Sequence, residues 1–113
     1  MGPVCHTGKD TCFGEKNEGS GLDFLNELTA IIQDRNRNPN PKSYTSKLFK
    51  RGSNKISQKV GEEAVELIIE AKDEDMDLFH NECADLMYHL LVLLEAKGTD
   101  LQTVVKFLSK RKV

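Results

Sequence analysis

The stretch from Met76 to Lys97 constrains the fold more than any other part of the chain. Taken as a helix at about 100° per residue, it has apolar side chains almost all the way round: Phe79, Cys83, Leu86, Met87 and the run from Leu90 to Leu94. A helix apolar on every side belongs in a core. Yet Glu82 and Asp85, with His89 one turn on, draw a narrow acidic stripe along it. Ionised carboxylates do not enter a core unpaired. Few lysines or arginines are placed to pair with them, so a cation must come from elsewhere. Oxygen ligands suit a hard divalent ion, and Mg²⁺ is the usual one. The competing reading, a core carboxylate pair with structural partners, needs partners that the neighbouring sequence does not offer.

A second acidic cluster lies upstream. On a helix, Ile56, Val60, Ala64, Leu67, Ile68 and Ala71 share one broad apolar arc, which Val65 and Ile69 widen. Glu62, Glu63, Glu66 and Glu70 fall on the remaining face, with Lys59 among them. Like charges three and four residues apart repel by a few tenths of a kcal/mol when solvated. Partly buried, they repel more or take up protons. Alone, this cluster fits a solvated helix face as well as a metal site. Beside Glu82 and Asp85, the metal reading is the stronger.

The remaining pattern predicts an all-α fold, an antiparallel bundle of about five helices in one domain over residues 20–113. A first helix, capped by Ser20, carries Leu22, Leu25, Leu28, Ile31 and Ile32 to about Arg37. Asn38-Pro39-Asn40-Pro41 stops it. Ser43 caps a short second helix ending near Gly52. Ser53 or Asn54 opens the third, which runs to about Lys72. Gly61 in its interior costs about 1 kcal/mol against alanine, a cost explained if a side chain there would crowd the metal site or a packed helix. Asp73, Glu74, Asp75 and Asp77 make a solvated acidic corner and helix start. The fourth helix ends at Lys97-Gly98. Thr99-Asp100-Leu101-Gln102 reads as a capping box for a last helix bearing Leu101, Val104, Val105 and Leu108. With the third and fourth helices antiparallel, Glu62, Glu63 and Glu66 face Glu82 and Asp85, as in bundle-core metal sites. His89 reads as a satisfied core histidine that could also steady Asp85; His80 belongs on the surface. A fourth helix apolar all round needs more cover than its short companions give, which implies a homodimer.

Composition narrows the setting. A formal charge of −2 gives no broad basic footprint for nucleic acid. No apolar run reaches membrane-spanning length and no secretory pattern opens the chain. Three cysteines cannot all pair, and Cys83 lies on a buried helix pattern, so a cytoplasmic setting follows. Lys47, Lys50, Arg51, Lys55 and Lys59 place cations just before the acidic cluster. Lys47 and Lys59 are the candidates to meet substrate phosphates that a metal leaves unneutralised.

Glu-Glu-x-x-Glu, a spacer and then Glu-x-x-Asp resembles the signature of the MazG-like all-α nucleoside triphosphate pyrophosphohydrolases. Lys59-Val60-Gly61-Glu62-Glu63, with Asp85-Leu86-Met87-Tyr88-His89-Leu90-Leu91 and Ser43-Tyr44-Thr45-Ser46-Lys47-Leu48, is similar more narrowly to phosphoribosyl-ATP pyrophosphatase of histidine biosynthesis. The resemblance runs from about Leu22 to the end. It implies Mg²⁺-dependent hydrolysis of phosphoribosyl-ATP to phosphoribosyl-AMP and pyrophosphate. Glu62, Glu63, Glu66, Glu82 and Asp85 are then the catalytic acids, and Glu63, Glu66, Glu82 and Asp85 the metal ligands. Glu62 is a further ligand or holds the attacking water. Two rivals share the acidic clusters: a house-cleaning pyrophosphohydrolase of free (deoxy)nucleoside triphosphates, and a non-catalytic metal-binding helical dimer.

Residues 1–19 stand apart, with no periodic apolar pattern. Gly2-Pro3-Val4-Cys5-His6-Thr7-Gly8, followed by Cys12-Phe13, resembles the end of phosphoribosyl-AMP cyclohydrolase, which implies the carboxy-terminal half of a bifunctional protein. In that family the cysteines matching Cys5 and Cys12 help to hold zinc. Two thiols are too few for a closed zinc site, so no cyclohydrolase activity is expected of this chain.

Overall fold

The computed structural model describes residues 21–113. The tail at residues 1–19, its Cys5 and Cys12, and the expected cap Ser20 lie outside the described residues. Among the described residues the fold is all-α: α1 (Asp23–Arg37), α2 (Tyr44–Arg51), α3 (Ser53–Ala71), α4 (Met76–Ala96) and α5 (Leu101–Ser109).

Local chemistry sets most of the boundaries. Ser43 is extended, and its hydroxyl accepts the Ser46 N–H, so α2 starts where the sequence placed it. Gly52, at φ 95°, ends α2 and opens α3 in a single residue. That left-handed region is costly for a side chain and free for glycine. Its N–H goes back to Leu48 and Phe49, while its carbonyl accepts from Ile56. Ser53 opens α3, as the sequence placed it; the cap position before it is Gly52, and no side chain fills it. Asp75 of the acidic corner caps α4 by accepting the Leu78 N–H at 3.1 Å. Gly98, at φ 79°, closes α4, with Thr99 N–H returning to Leu94 O at 2.9 Å. Because Thr99 is spent on that closure, the cap of α5 is Asp100, one residue later than the expected capping box. Its carboxylate accepts from both the backbone N–H and the hydroxyl of Thr103.

The core is small. Ile32 of α1, Leu48 of α2, Ile56 of α3 and Tyr88, Leu91 and Val92 of α4 form it, with Leu25, Leu28, Phe49 and Leu101 packed around them. α3 and α4 make the main helix pair, joined by the short acidic corner. Ile56 shares the core with Val92 while Glu63 meets Glu82 and Asp85, so the pair runs antiparallel. Only the carboxy-terminal half of α4 is buried. The reading of α4 as buried along its whole length is corrected for the single chain, since Met76, Leu78 and Met87 are exposed. Val65, Ile68 and Ile69 of α3 and Val104, Val105, Phe107 and Leu108 of α5 are exposed as well. A substituent on Gly61 would meet nothing within 4 Å, so crowding inside the chain does not explain that glycine.

Candidate active site

Position along the antiparallel pair builds the site. Glu63 faces α4 from α3, and Glu82 and Asp85, three residues apart, face back from one side of α4. Glu63, Glu82 and Asp85 each offer a carboxylate oxygen, and these atoms all lie within 4.8 Å of one another. All three residues are half-buried. Three acids this close repel one another unless protons or cations intervene. Burial raises the Glu82 carboxyl above its ordinary value, and the charges of Asp85, Glu63 and Glu66 push it further the same way. Glu82 Oε1 is buried without a hydrogen-bond partner, as is Glu70 Oε1 further along α3. A buried, unpartnered carboxylate oxygen on a member of an all-carboxylate cluster fits a hard divalent cation.

The other expected site residues divide. Glu66 lies near enough to act on the charge of Glu82 but stays exposed and outside the three-oxygen cluster. Glu62 is at the rim, its side chain 48% exposed against 14% for Glu63. It accepts from Gln58 at 2.8 Å and pairs with Lys59 at 3.3 Å, and these two partners lower its pKa. Lys59 also reaches Glu63 Oε2 at 3.6 Å, so one cation stands against the acidic cluster. Burial works against the Lys59 ammonium, but its bond to Glu62 and the neighbouring Tyr44, Glu62 and Glu63 outweigh that and raise its pKa. Lys47 is exposed on α2, and no ion pair joins it to a carboxylate among the described residues.

Behind the acids lies a polar cluster that sequence reasoning passed over, except for His89. His89 is buried, and its Nδ1 lies 2.8 Å from the backbone oxygen of Asp85. A carbonyl can only accept, so Nδ1 donates, and Nε2 lies 3.2 Å from the Tyr44 hydroxyl. His89 is thus a satisfied core histidine that steadies the Asp85 turn through its backbone rather than its carboxylate. Tyr88 stacks on Tyr44 and hydrogen-bonds Thr45. Burial raises the Tyr88 pKa, a shift the Thr45 bond partly offsets. The signal available in the sequence was Tyr44-Thr45 beside the Ser43 cap, paired with Tyr88-His89. His80 is exposed, as expected.

The fold and site define a class: all-helical bundle proteins whose central antiparallel pair faces itself through carboxylates. Residues 25–112 match the family described as Phosphoribosyl-ATP pyrophosphohydrolase. The chain belongs to that family, as its motifs implied. It is 44% identical, over 100% of its own length and 54% of the relative's, to the histidine biosynthesis bifunctional protein HisIE of Oceanobacillus iheyensis. The protein of the same name from Bacteroides thetaiotaomicron is 49% identical over 97% of this chain and 54% of its own. That of Escherichia coli is 44% identical over 98% and 54%. The chain thus spans about half the length of the curated relatives it matches. No helix among the described residues is long and apolar enough to cross a membrane.

Proposed function

We propose that this chain hydrolyses phosphoribosyl-ATP to phosphoribosyl-AMP and pyrophosphate in histidine biosynthesis, with Mg²⁺ as cofactor. The carrying observation is the meeting of Glu63, Glu82 and Asp85 within 4.8 Å, with Glu82 Oε1 buried and unpartnered. Family membership supplies the substrate class. Glu63, Glu82 and Asp85 would hold the metal, with Glu66 as a further ligand beside Glu82. Bound there, Mg²⁺ would offset the negative charge that builds on the phosphate oxygens as the anhydride bond breaks. The chain's own residues do the rest. Lys59 exchanges its partner Glu63 for a substrate phosphate once the carboxylates are otherwise engaged. Glu62, tied to Lys59 and Gln58 at the rim, holds that ammonium in place and lies where it can orient the attacking water. The bond from His89 to the Asp85 carbonyl fixes the turn of α4 that carries the two acids.

The working unit in this reading is a homodimer. The apolar side chains left exposed on α3, α4 and α5 supply a surface too extensive for a lone chain. The free thiol of Cys83 suits a cytoplasmic setting. We further read the sequence of residues 1–19 as the end of a cyclohydrolase-like segment. In support, alignment with the bifunctional relatives covers 97–100% of the chain, whereas the family match begins at residue 25.

A pyrophosphate-release assay on phosphoribosyl-ATP, ATP and other nucleoside triphosphates, with Mg²⁺ titrated in, tests the proposal. The expected result is Mg²⁺-dependent turnover, strongest on phosphoribosyl-ATP and lost in Glu66→Gln and Asp85→Asn while the helical circular dichroism persists. Faster turnover of the free triphosphates, or unchanged turnover in both variants, would contradict it.

A further inference from the structure

From Arg35 to Gly61 the chain carries eight lysines and arginines and no aspartate or glutamate. This segregation has a shape. A concavity of about 580 Å³ lies between the end of α1, the Asn38–Pro41 turn and α2. Arg35, Lys47 and Lys50 line it, Pro39, Pro41 and Phe49 give it apolar walls, and no carboxylate is among its lining residues. Arg35 is held by Asp34 at 3.0 Å, but Lys47 and Lys50 have no ion-pair partner among the described residues. The volume falls in the range of small-molecule sites. Unneutralised cations beside an apolar wall suit a phosphate joined to a sugar or base.

Lys47 and Lys50 also line a second recess, which Tyr44 joins, so the concavity is linked along α2 toward the acidic cluster. Tyr44, one turn before Lys47 on α2, bonds His89 and neighbours Lys59, which reaches Glu63 at 3.6 Å. A ligand with its polyphosphate at the carboxylates and a second phosphate at its far end could span the first turn of α2.

We propose that the Lys47–Lys50 concavity binds the distal sugar phosphate of the substrate, and so distinguishes phosphoribosyl-ATP, charged at both ends, from a free nucleoside triphosphate. This rests on the substrate reading above. It makes Lys47 and Lys50 specificity residues acting far from the bond that breaks.

Ribose 5-phosphate, titrated in EDTA, isolates the concavity from the metal site. Amide NMR shifts are expected at Asn40, Lys47, Phe49 and Lys50. Binding should weaken about tenfold in Lys47→Gln/Lys50→Gln, as loss of charge-assisted hydrogen bonds requires, and return in Lys47→Arg/Lys50→Arg. The Gln pair should raise KM for phosphoribosyl-ATP about tenfold with a smaller change in kcat. Wild-type turnover of phosphoribosyl-ATP with no ribose 5-phosphate shifts, or with KM unmoved by the Gln pair, overturns the inference and leaves the activity standing. Shifts at these residues in a chain that does not turn over phosphoribosyl-ATP leave an anion site but overturn both the activity and this specificity role. Inorganic phosphate binding as tightly as ribose 5-phosphate overturns the claim that the sugar is recognised.

Discussion

Glu82→Gln should make the metal-free protein more stable and the enzyme inactive. In the wild type no two of the ligand oxygens of Glu63, Glu82 and Asp85 are more than 4.8 Å apart. Two unit charges at that distance repel by about 0.9 kcal/mol even in a medium as polarisable as water, and by more where burial lowers the screening. Glu82 takes part in two such pairs, so removing its charge relieves about 1–2 kcal/mol. Relief of the burial that raises its pKa adds in the same direction. For a domain of this size the gain corresponds to a rise in Tm of roughly 5–10 °C. The assay is thermal unfolding at about pH 8, where carboxylates are normally ionised, at fixed protein concentration, with EDTA and then with excess Mg²⁺. In EDTA the variant should melt above the wild type. Mg²⁺ should stabilise the wild type and leave the variant nearly unchanged. If Glu82→Gln melts lower in EDTA, or gains as much from Mg²⁺ as the wild type does, the carboxylates are a structural network and not a cation site.

Other outcomes follow from the same structure. Gly61→Ala should stabilise the chain by about 1 kcal/mol through helix propensity, because a Cβ there meets nothing within 4 Å; a lowered Tm would show that another chain approaches that face. Sedimentation at high micromolar concentration should give a dimer that Ile69→Asp breaks, since Ile69 is half-exposed on the uncovered face of α3; a wild-type monomer would contradict the dimer. Asp100 caps α5, and its bonds to the Thr103 backbone and hydroxyl lower its pKa below the ordinary 3.8. Its contribution is complete above 3.8 and is lost as the pH falls through the lowered folded value. Asp100→Ala should remove that acid-limb loss and lower Tm by a few degrees near neutrality; an unchanged acid limb would refute the assignment.

Much of the bundle was legible because local chemistry agreed with the global pattern. Ser43 before a short amphipathic run, Gly98 after a long one and the Asn-Pro-Asn-Pro stop each dictate a boundary through a single backbone requirement. The start of α3 at Ser53 held, although Gly52 rather than a side chain makes the junction there. The boundary that shifted did so where two motifs competed for adjacent residues. Thr99 was drawn into closing α4, which left Asp100 to cap α5. Periodicity brought Glu63 opposite Glu82 and Asp85, but it could not rank the acids. Whether Glu62 or Glu63 enters the cluster depends on a rotation of less than one turn about α3, and on Lys59 and Gln58 holding Glu62 at the rim. The hydrogen bonds from His89 to the Asp85 carbonyl and to Tyr44 depend on where α2 docks, which no periodicity encodes. The exposed half of α4 shows the complementary limit: apolar pattern states that a surface is to be covered and does not say by which chain.

Crystals soaked in Mn²⁺, with anomalous scattering recorded at the manganese edge, test the central claim most directly. A difference peak among the carboxylates of Glu63, Glu82 and Asp85, absent in crystals of Glu82→Gln, is the expected result. No peak there, or a peak bound only by acids on other faces of the bundle, would contradict the account.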